Sequence, residues 1–380
     1  MTVDCDANAT YAPDESLQGV IVRAISLSGN PSSLHRGGQG AKAALEEARA
    51  AVREFLGAEA HDQVVFTSGA SEANNTVIAS CSAERPVGRI ISTLIEHPCV
   101  LEPLKALQSA GRDVVLVAPD ASGEVPVDGV VRALTPDTAL VSVMAANNET
   151  GVLNRVGEIA RAVREIAPRA RIHTDAAQLP GKVPVSFWEL GADYMTVSGH
   201  KVGAPAGVGA LVIRDGVSLK PLILGGPQEG KLRGGTENVL GIVSFGAVAS
   251  VVGKDLAKRI GAMRGARDAF EALMAERCPT WAFNGRDRSR LPNTSSVFIP
   301  GVRADDLVVA LDLEGILISA GAACSSGKPE PSHVLLAMDQ DAQRVKSTVR
   351  ISFRADIEPK DVERLVDVLC TVAGRMNRSA

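Results

Sequence analysis

Little in this sequence ties the chain to a membrane, a metal or a nucleic acid. The longest uncharged apolar stretch, about Val239 to Gly253, contains glycines and a serine. It falls short of the ~20 residues that a spanning helix needs, so a buried helix is expected there and no membrane association. The 40 lysines and arginines are scattered, form no basic run, and are outnumbered by 44 aspartates and glutamates. A net charge of −4 implies no broad surface for nucleic acid. The cysteines at 5, 81, 99, 278, 324 and 370 show neither CxxC nor Cys/His ligand spacing, so no metal site is expected. The start, Met1-Thr-Val-Asp-Cys-Asp, lacks the basic-then-apolar pattern of a signal peptide, and a cytoplasmic location is the expectation. In such a reducing compartment most of the cysteines read as small packing residues, Cys81, Cys99 and Cys370 among them. No repeat or low-complexity segment is visible.

What is present is the composition of an ordinary globular enzyme, 45% hydrophobic and 22% charged. A length of 380 residues suggests two or three domains. After an extended N-terminus and a polar loop at Pro31–His35, an amphipathic helix is expected over Ala41–Leu56. Apolar runs then recur at Val64–Thr67, Arg89–Ser92, Val114–Val117, Leu140–Met144, Ile172–Thr174, Tyr194–Val197 and Ala210–Ile213, with helical segments between most of them. Val/Ile/Leu runs alternating with helices predict an α/β fold whose seven-stranded, mostly parallel sheet is covered on both faces. A long helix is expected from Val239. From about residue 261 the pattern becomes a smaller α+β unit: helices at Ala262–Glu276, Ala304–Glu314 and Lys360–Met376, strands at Thr294–Phe298, Leu317–Ser319 and Thr348–Ser352.

In parallel sheets ligands bind outside the carboxyl ends of the strands, and the polar motifs follow the strands. Ser198-Gly-His-Lys201 lies in a glycine-rich turn between two apolar strands. A lysine there is a candidate desolvated amine, suited to a Schiff base. Alone it would pass for a surface lysine. Thr67-Ser-Gly-Ala-Ser-Glu-Ala-Asn74 offers backbone N–H groups at a helix start, a phosphate site or a plain N-cap. His97 precedes Pro98, which favours an extended backbone able to lay the ring against a ligand. Asn147-Asn-Glu-Thr-Gly151 and Asp175-Ala-Ala-Gln178 end two further strands. A carboxylate there is costly unless paired, and it suits the cationic ring nitrogen of pyridoxal phosphate; a helix N-cap is the plainer use. Gly225–Asn238 is either a flexible loop or a further phosphate ligand. Cys324 stands among small residues, the surroundings of an accessible, reactive thiol. Arg350, on an apolar strand, calls for an anion such as a substrate carboxylate.

The ordered set, from Asn8-Ala-Thr10 and Asn30-Pro-Ser-Ser-Leu-His35 through the motifs above to Ser319-Ala-Gly-Ala-Ala-Cys324, resembles the pyridoxal-phosphate-dependent cysteine desulfurases over nearly the whole chain. The resemblance implies PLP fold type I, aspartate aminotransferase-like. A large domain would span 14–255, and a small domain of 1–13 and 256–380 would carry the catalytic cysteine loop. It implies a homodimer acting on L-cysteine and passing sulfur to an acceptor protein. Lys201 would hold pyridoxal 5′-phosphate. Asp175 would face its ring nitrogen, Gln178 its hydroxyl, with Asn148 nearby and His97 stacked on the ring. Ala70, Ser71, Ser198 and His200 would line the phosphate, joined by Thr236 of the partner subunit. Arg350 would hold the substrate carboxylate and Cys324 would be the nucleophile. The run Gly327-Lys-Pro-Glu-Pro-Ser-His-Val334 resembles the longer cysteine loop of one of the family's two groups. Ser71 stands where the family usually has threonine. The turn before Thr236 reads Leu-Arg-Gly-Gly rather than Leu-Arg-Ser-Gly. Arg350-Ile-Ser-Phe-Arg354 is one residue shorter than usual, which leaves the role of Arg354 open. Selenocysteine lyase or cysteine sulfinate chemistry, and a non-catalytic scaffold that binds sulfur acceptors, are the alternatives.

Overall fold

The structure is a computed structural model and describes residues 2–26, 29–321 and 331–379. The chain opens with a short strand β1 (Val3–Asp4), then helices α1 (Glu15–Ile25) and α2 (Arg36–Phe55). It continues as β2 (Gln63–Thr67), α3 (Ala70–Glu84), β3 (Ile90–Thr93), α4 (Pro98–Ser109), β4 (Val114–Val117), α5 (Val127–Ala133), β5 (Leu140–Ser142), α6 (Val156–Ile166), β6 (Arg171–Asp175), α7 (Phe187–Leu190), β7 (Tyr194–Ser198) and β8 (Gly209–Ile213). Seven of these strands form one sheet in the order β2-β8-β7-β6-β5-β3-β4. Only β8 runs against its neighbours; the other pairings are parallel. Thr67, Thr93, Ser142, Asp175 and Ser198 therefore end their strands on the same edge, the edge at which β8 begins.

The strands are apolar because both faces are covered. On one face Val141, Ile172, Met195 and Val212 pack with residues of α2, α6 and α8 (Val239–Lys254), among them Leu45, Ile159 and Phe245. On the other, Val65, Ile90, Leu140 and Leu211 pack with Val77, Ile78, Val100 and Leu104 of α3 and α4. After α8 the chain bends by 75° into α9 (Leu256–Arg277). The rest comprises β9 (Ala282–Asn284), β10 (Thr294–Phe298), α10 (Ala304–Leu313), β11 (Ile316–Leu317), α11 (His333–Ala337), α12 (Ala342–Lys346), β12 (Thr348–Ser352) and α13 (Pro359–Ser379). A separate core of Phe270, Met274, Val297, Leu307, Ile351, Phe353 and Leu365 joins α9, α10, α13 and the sheet β12-β10-β9. The N-terminus belongs to this second core: β1 pairs with β11, and Val3 and Cys5 are buried in it.

Several expectations need correction. The N-terminus is not extended throughout. Asp14 caps α1 through Leu17 N, and Leu17 and Ala24 are buried from it. Helix α2 starts at Arg36 rather than Ala41, despite three early glycines, because His35 Nδ1 accepts from Gly38 N at 3.3 Å and supplies the cap. Helix α9 starts at Leu256, not Ala262. Strand β11 ends at Leu317, and Ser319 instead forms an isolated bridge to Arg350. No single described helix is long and apolar enough to cross a membrane, and α8 buries Ile242, Phe245, Val248 and Val252 inside the fold.

Candidate active site

At the shared strand edge, Lys201 follows β7 in a single 3-10 turn and is half-buried. Its ammonium donates to two backbone carbonyls, Asn8 O at 2.7 Å and Ala9 O at 2.8 Å, and to no carboxylate among the described residues. Burial lowers its pKa to about 8; Arg350 pushes the same way, and Asp175, Asp6 and Cys99 partly oppose.

The N-terminal segment lies across this edge and gathers one group of residues. Asn8 O also accepts from Gln178 Nε2 at 3.1 Å. Asn8 Nδ2 donates to Asn148 O at 3.2 Å, and Arg350 Nη1 donates to the same carbonyl at 3.2 Å. Thr10 Oγ1 lies 3.1 Å from His200 Nδ1. Burial, then Lys201 and Lys182, lower the His200 pKa to about 4, so its ring is neutral near pH 7. Arg350, 1% exposed, donates through Nη2 to Asp6 at 2.6 Å, while its Nε has no partner among the described residues.

A second group centres on Asp175. Its Oδ2 accepts from Asn74 Nδ2 at 2.7 Å and its Oδ1 from Ala177 N at 2.9 Å. Asn74 Nδ2 also reaches Cys99 Sγ at 3.1 Å, which lies 3.0 Å from His97 Nδ1. His97 has the extended backbone expected before Pro98 and caps α4, accepting from Cys99 N at 3.2 Å through Nδ1. A nitrogen that accepts from a backbone N–H carries no proton, so the neutral ring holds its hydrogen on Nε2. Desolvation by the surrounding protein holds its pKa below the ordinary histidine value; Asp175 pulls upward, and Lys201 and His333 push down. Cys99, read as a packing residue, in fact lines this site. Burial first, and Asp175 second, push its thiol up to about 12, so it stays protonated and is no nucleophile at neutral pH.

Ala70 and Ser71 open α3, which has no side-chain cap, and the Ser71 hydroxyl reaches Cys99. Uncapped N–H groups at a helix start suit an anion. Gly209 lets this turn come close: a Cβ there would stand 2.8 Å from Gly69 Cα and 2.7 Å from Val197 O. Ser198 is buried at the end of β7. Thr236 is exposed ahead of α8. The loop before it is pinned rather than free: Glu229 accepts from Arg49 at 2.7 and 2.9 Å and from Phe66 N at 2.8 Å, and Arg233 donates to Glu72 of α3 at 3.0 Å. Arg354 is braced by Asp356 at 2.7 Å and Asp4 at 3.7 Å. Cys324 lies outside the described residues.

Against known proteins, the aminotransferase class-V family profile matches residues 6–365. A cysteine desulfurase of Gluconacetobacter diazotrophicus is 37% identical over 375 residues, 98% of this chain and 93% of that one. The chain belongs to the cysteine desulfurase branch of the class-V aminotransferases. A solved NifS-like protein superposes with a TM-score of 0.90 at 33% identity, covering all of both chains. A structure titled SspA in complex with cysteine does so with a TM-score of 0.81 at 32% identity, covering 93% of this chain and 99% of that one.

The enzymes of this family use pyridoxal phosphate, and the residues here fit it. A buried carboxylate, an amine of lowered pKa and an uncapped helix start meet at one edge, and Asn74 Oδ1 is buried without a partner among the described residues. Sequence reasoning missed Asn74 as the partner of Asp175, although it sits three residues beyond Ser71, one turn along the same helix. It also missed Asp6 and Glu96. Glu96 is fully buried behind His97. Its Oε1 accepts from Met144 N at 2.7 Å and Thr93 Oγ1 at 2.9 Å, and burial raises its pKa to about 8.

Proposed function

We propose that this chain converts L-cysteine to L-alanine with pyridoxal 5′-phosphate held by Lys201, passing the sulfur to Cys324 as a persulfide and then to an acceptor protein. The observation that carries the reading is Lys201 itself: a desolvated amine on carbonyl acceptors, at the strand edge that also bears Asp175. When bound, the cofactor supplies an electron sink for the electrons released at the substrate α-carbon. Asp175 keeps a proton on the ring nitrogen. Gln178 donates to the ring hydroxyl oxygen. Ser71, Ser198, His200 and the N–H groups from Ala70 onward hold the phosphate, with Thr236 of the partner subunit completing it in a homodimer.

Lys201, with a pKa near working pH, moves the proton at the α-carbon. Arg350 and Asn148 bind the substrate carboxylate; among the described residues, two of the five guanidinium N–H groups are engaged, by Asp6 and Asn148 O. His97 moves the proton of the substrate thiol through Nε2. The Cys324 thiolate attacks the substrate sulfur. An S–S bond forms, the Cβ–S bond breaks, and its electron pair stays on carbon, which takes a proton to become the methyl group of alanine. A cytoplasmic site of action follows from the need to keep Cys324 reduced.

The test is Cys324→Ala. This variant should keep the visible absorption of the bound cofactor and lose sulfide release from cysteine and dithiothreitol. Full turnover without Cys324 would refute the nucleophile.

A further inference from the structure

Lys182 is a lysine where a lysine is costly. It is 2% exposed, and among the described residues it has no ion pair. Its hydrogen-bond partner is the side-chain oxygen of Gln178, one i,i+4 step back. It lines the same small cavity as Lys201, together with Tyr11, Gly181 and Arg259. Burial, and then Lys201 and Arg350, push its pKa well below the ordinary lysine value. Such an amine is kept at the expense of stability unless it orients something.

What it orients follows from the acceptor at the other end. Asn8 O can only accept, so the Gln178 group facing it at 3.1 Å is the amide nitrogen. The amide oxygen must then face Lys182, which donates to it. In the flipped amide two oxygens would oppose each other across 3.1 Å, and the NH2 would face the lysine amine. Asn8 O is also the carbonyl that accepts from Lys201 at 2.7 Å. Lys182, Gln178, Asn8 O and Lys201 thus form one chain of hydrogen bonds. One N–H of Gln178 is left over for a ligand.

We propose that Lys182 is a positioning residue, which locks the Gln178 amide with its oxygen inward and its NH2 toward Asn8 and the cofactor pocket. The proposal rests on the reading of Gln178 as the donor to the cofactor hydroxyl. It deepens that reading by naming the residue that, with Asn8 O at the other end, holds the amide in one of its two orientations.

The test uses the full chain, stripped of cofactor and reloaded with pyridoxal phosphate, with Gln178→Ala, Lys182→Met, Lys182→Gln and the double variant Gln178→Ala/Lys182→Met. The readouts are cofactor affinity, the position of the bound cofactor's visible band, and the melting temperature of the cofactor-free protein. Lys182→Met should weaken cofactor binding about tenfold, the effect of one lost hydrogen bond, and shift the band in the direction that Gln178→Ala shifts it. The double variant should be no worse than Gln178→Ala alone. Lys182→Gln, which keeps a donor, should recover part of the loss and serves as the probe if the methionine variant does not fold. The cofactor-free Lys182→Met protein should melt no lower than the parent. Losses that add in the double variant, or an unshifted band in Lys182→Met beside a shifted one in Gln178→Ala, would overturn the positioning role. An unchanged affinity and band in Gln178→Ala would instead overturn the reading of Gln178.

Discussion

The two halves of the site are built by different means. The Asp175 half, with Asn74, Cys99 and His97, comes from segments that end strands of one sheet or begin the helices after them. Its geometry is set by the sheet. The Lys201 half, with Gln178, Asn148 and Arg350, is tied together by Asn8, in a segment that also packs into the second core. Asn8 further donates to Thr294 of β10 at 2.9 Å and accepts from Asn293 at 3.0 Å. The Asp175 half is thus a local product of the sheet. The Lys201 half, which shares the cofactor with it and adds Arg350 for the substrate, depends on a strap that links the two cores.

Changes that strike each half separately should break this division in order of size. Asp175→Asn should have the largest effect, lowering kcat on the order of 10² or more while the Lys201 link to the cofactor survives, as absorption would report. Asn8→Ala removes side-chain bonds and leaves the backbone carbonyl in place. It should cost about 1–3 kcal/mol in chemical denaturation by stranding Asn293 and Thr294, and raise KM for cysteine more than it weakens cofactor binding. Equal damage to both would erase the division. Thr10→Val should have the smallest effect, about 0.5–1.5 kcal/mol or less, because its bond to His200 is exposed; binding of pyridoxal phosphate to the cofactor-free protein would measure it.

The pH dependence sharpens the same contrast. Lys201 must be neutral to capture an aldehyde. With its pKa lowered to about 8, the capture rate of the cofactor-free protein should rise with pH and level off above about 8. An ordinary lysine would keep rising toward ~10.4. The shift also makes a stability statement. Between the lowered folded value and the ordinary unfolded one the unfolded chain binds more protons, so this group makes the cofactor-free protein more stable as pH rises through that window.

The division also explains what could be read from sequence. All seven strands of the large sheet show as apolar runs, and the motifs at their ends stand out because polar residues interrupt a hydrophobic pattern. Asp175, His97 and Lys201 are legible for that reason. The acceptors that hold Lys201 are backbone carbonyls of Asn8 and Ala9, which leave no mark on composition. Lys182 is hidden for the opposite reason, since propensity places a lysine in water and only the fold shows it buried. Helix α1 is hard to read from the sequence because Gly19 and the exposed Val22 and Ile25 blur its periodicity, although Asp14 three residues before Leu17 is an ordinary cap signal. Glu229 and Arg49 lie 180 residues apart, so no local pattern could show that the glycine-rich loop is pinned.

Two lysines, one buried and one half-buried, line one cavity, and the account assigns the cofactor to one of them. Borohydride reduction of the protein saturated with pyridoxal phosphate, followed by peptide mass mapping, separates them. The account predicts the label on the peptide carrying Lys201 and none on Lys182. A label on Lys182, or an unlabelled Lys201 in protein that holds the cofactor, would contradict it.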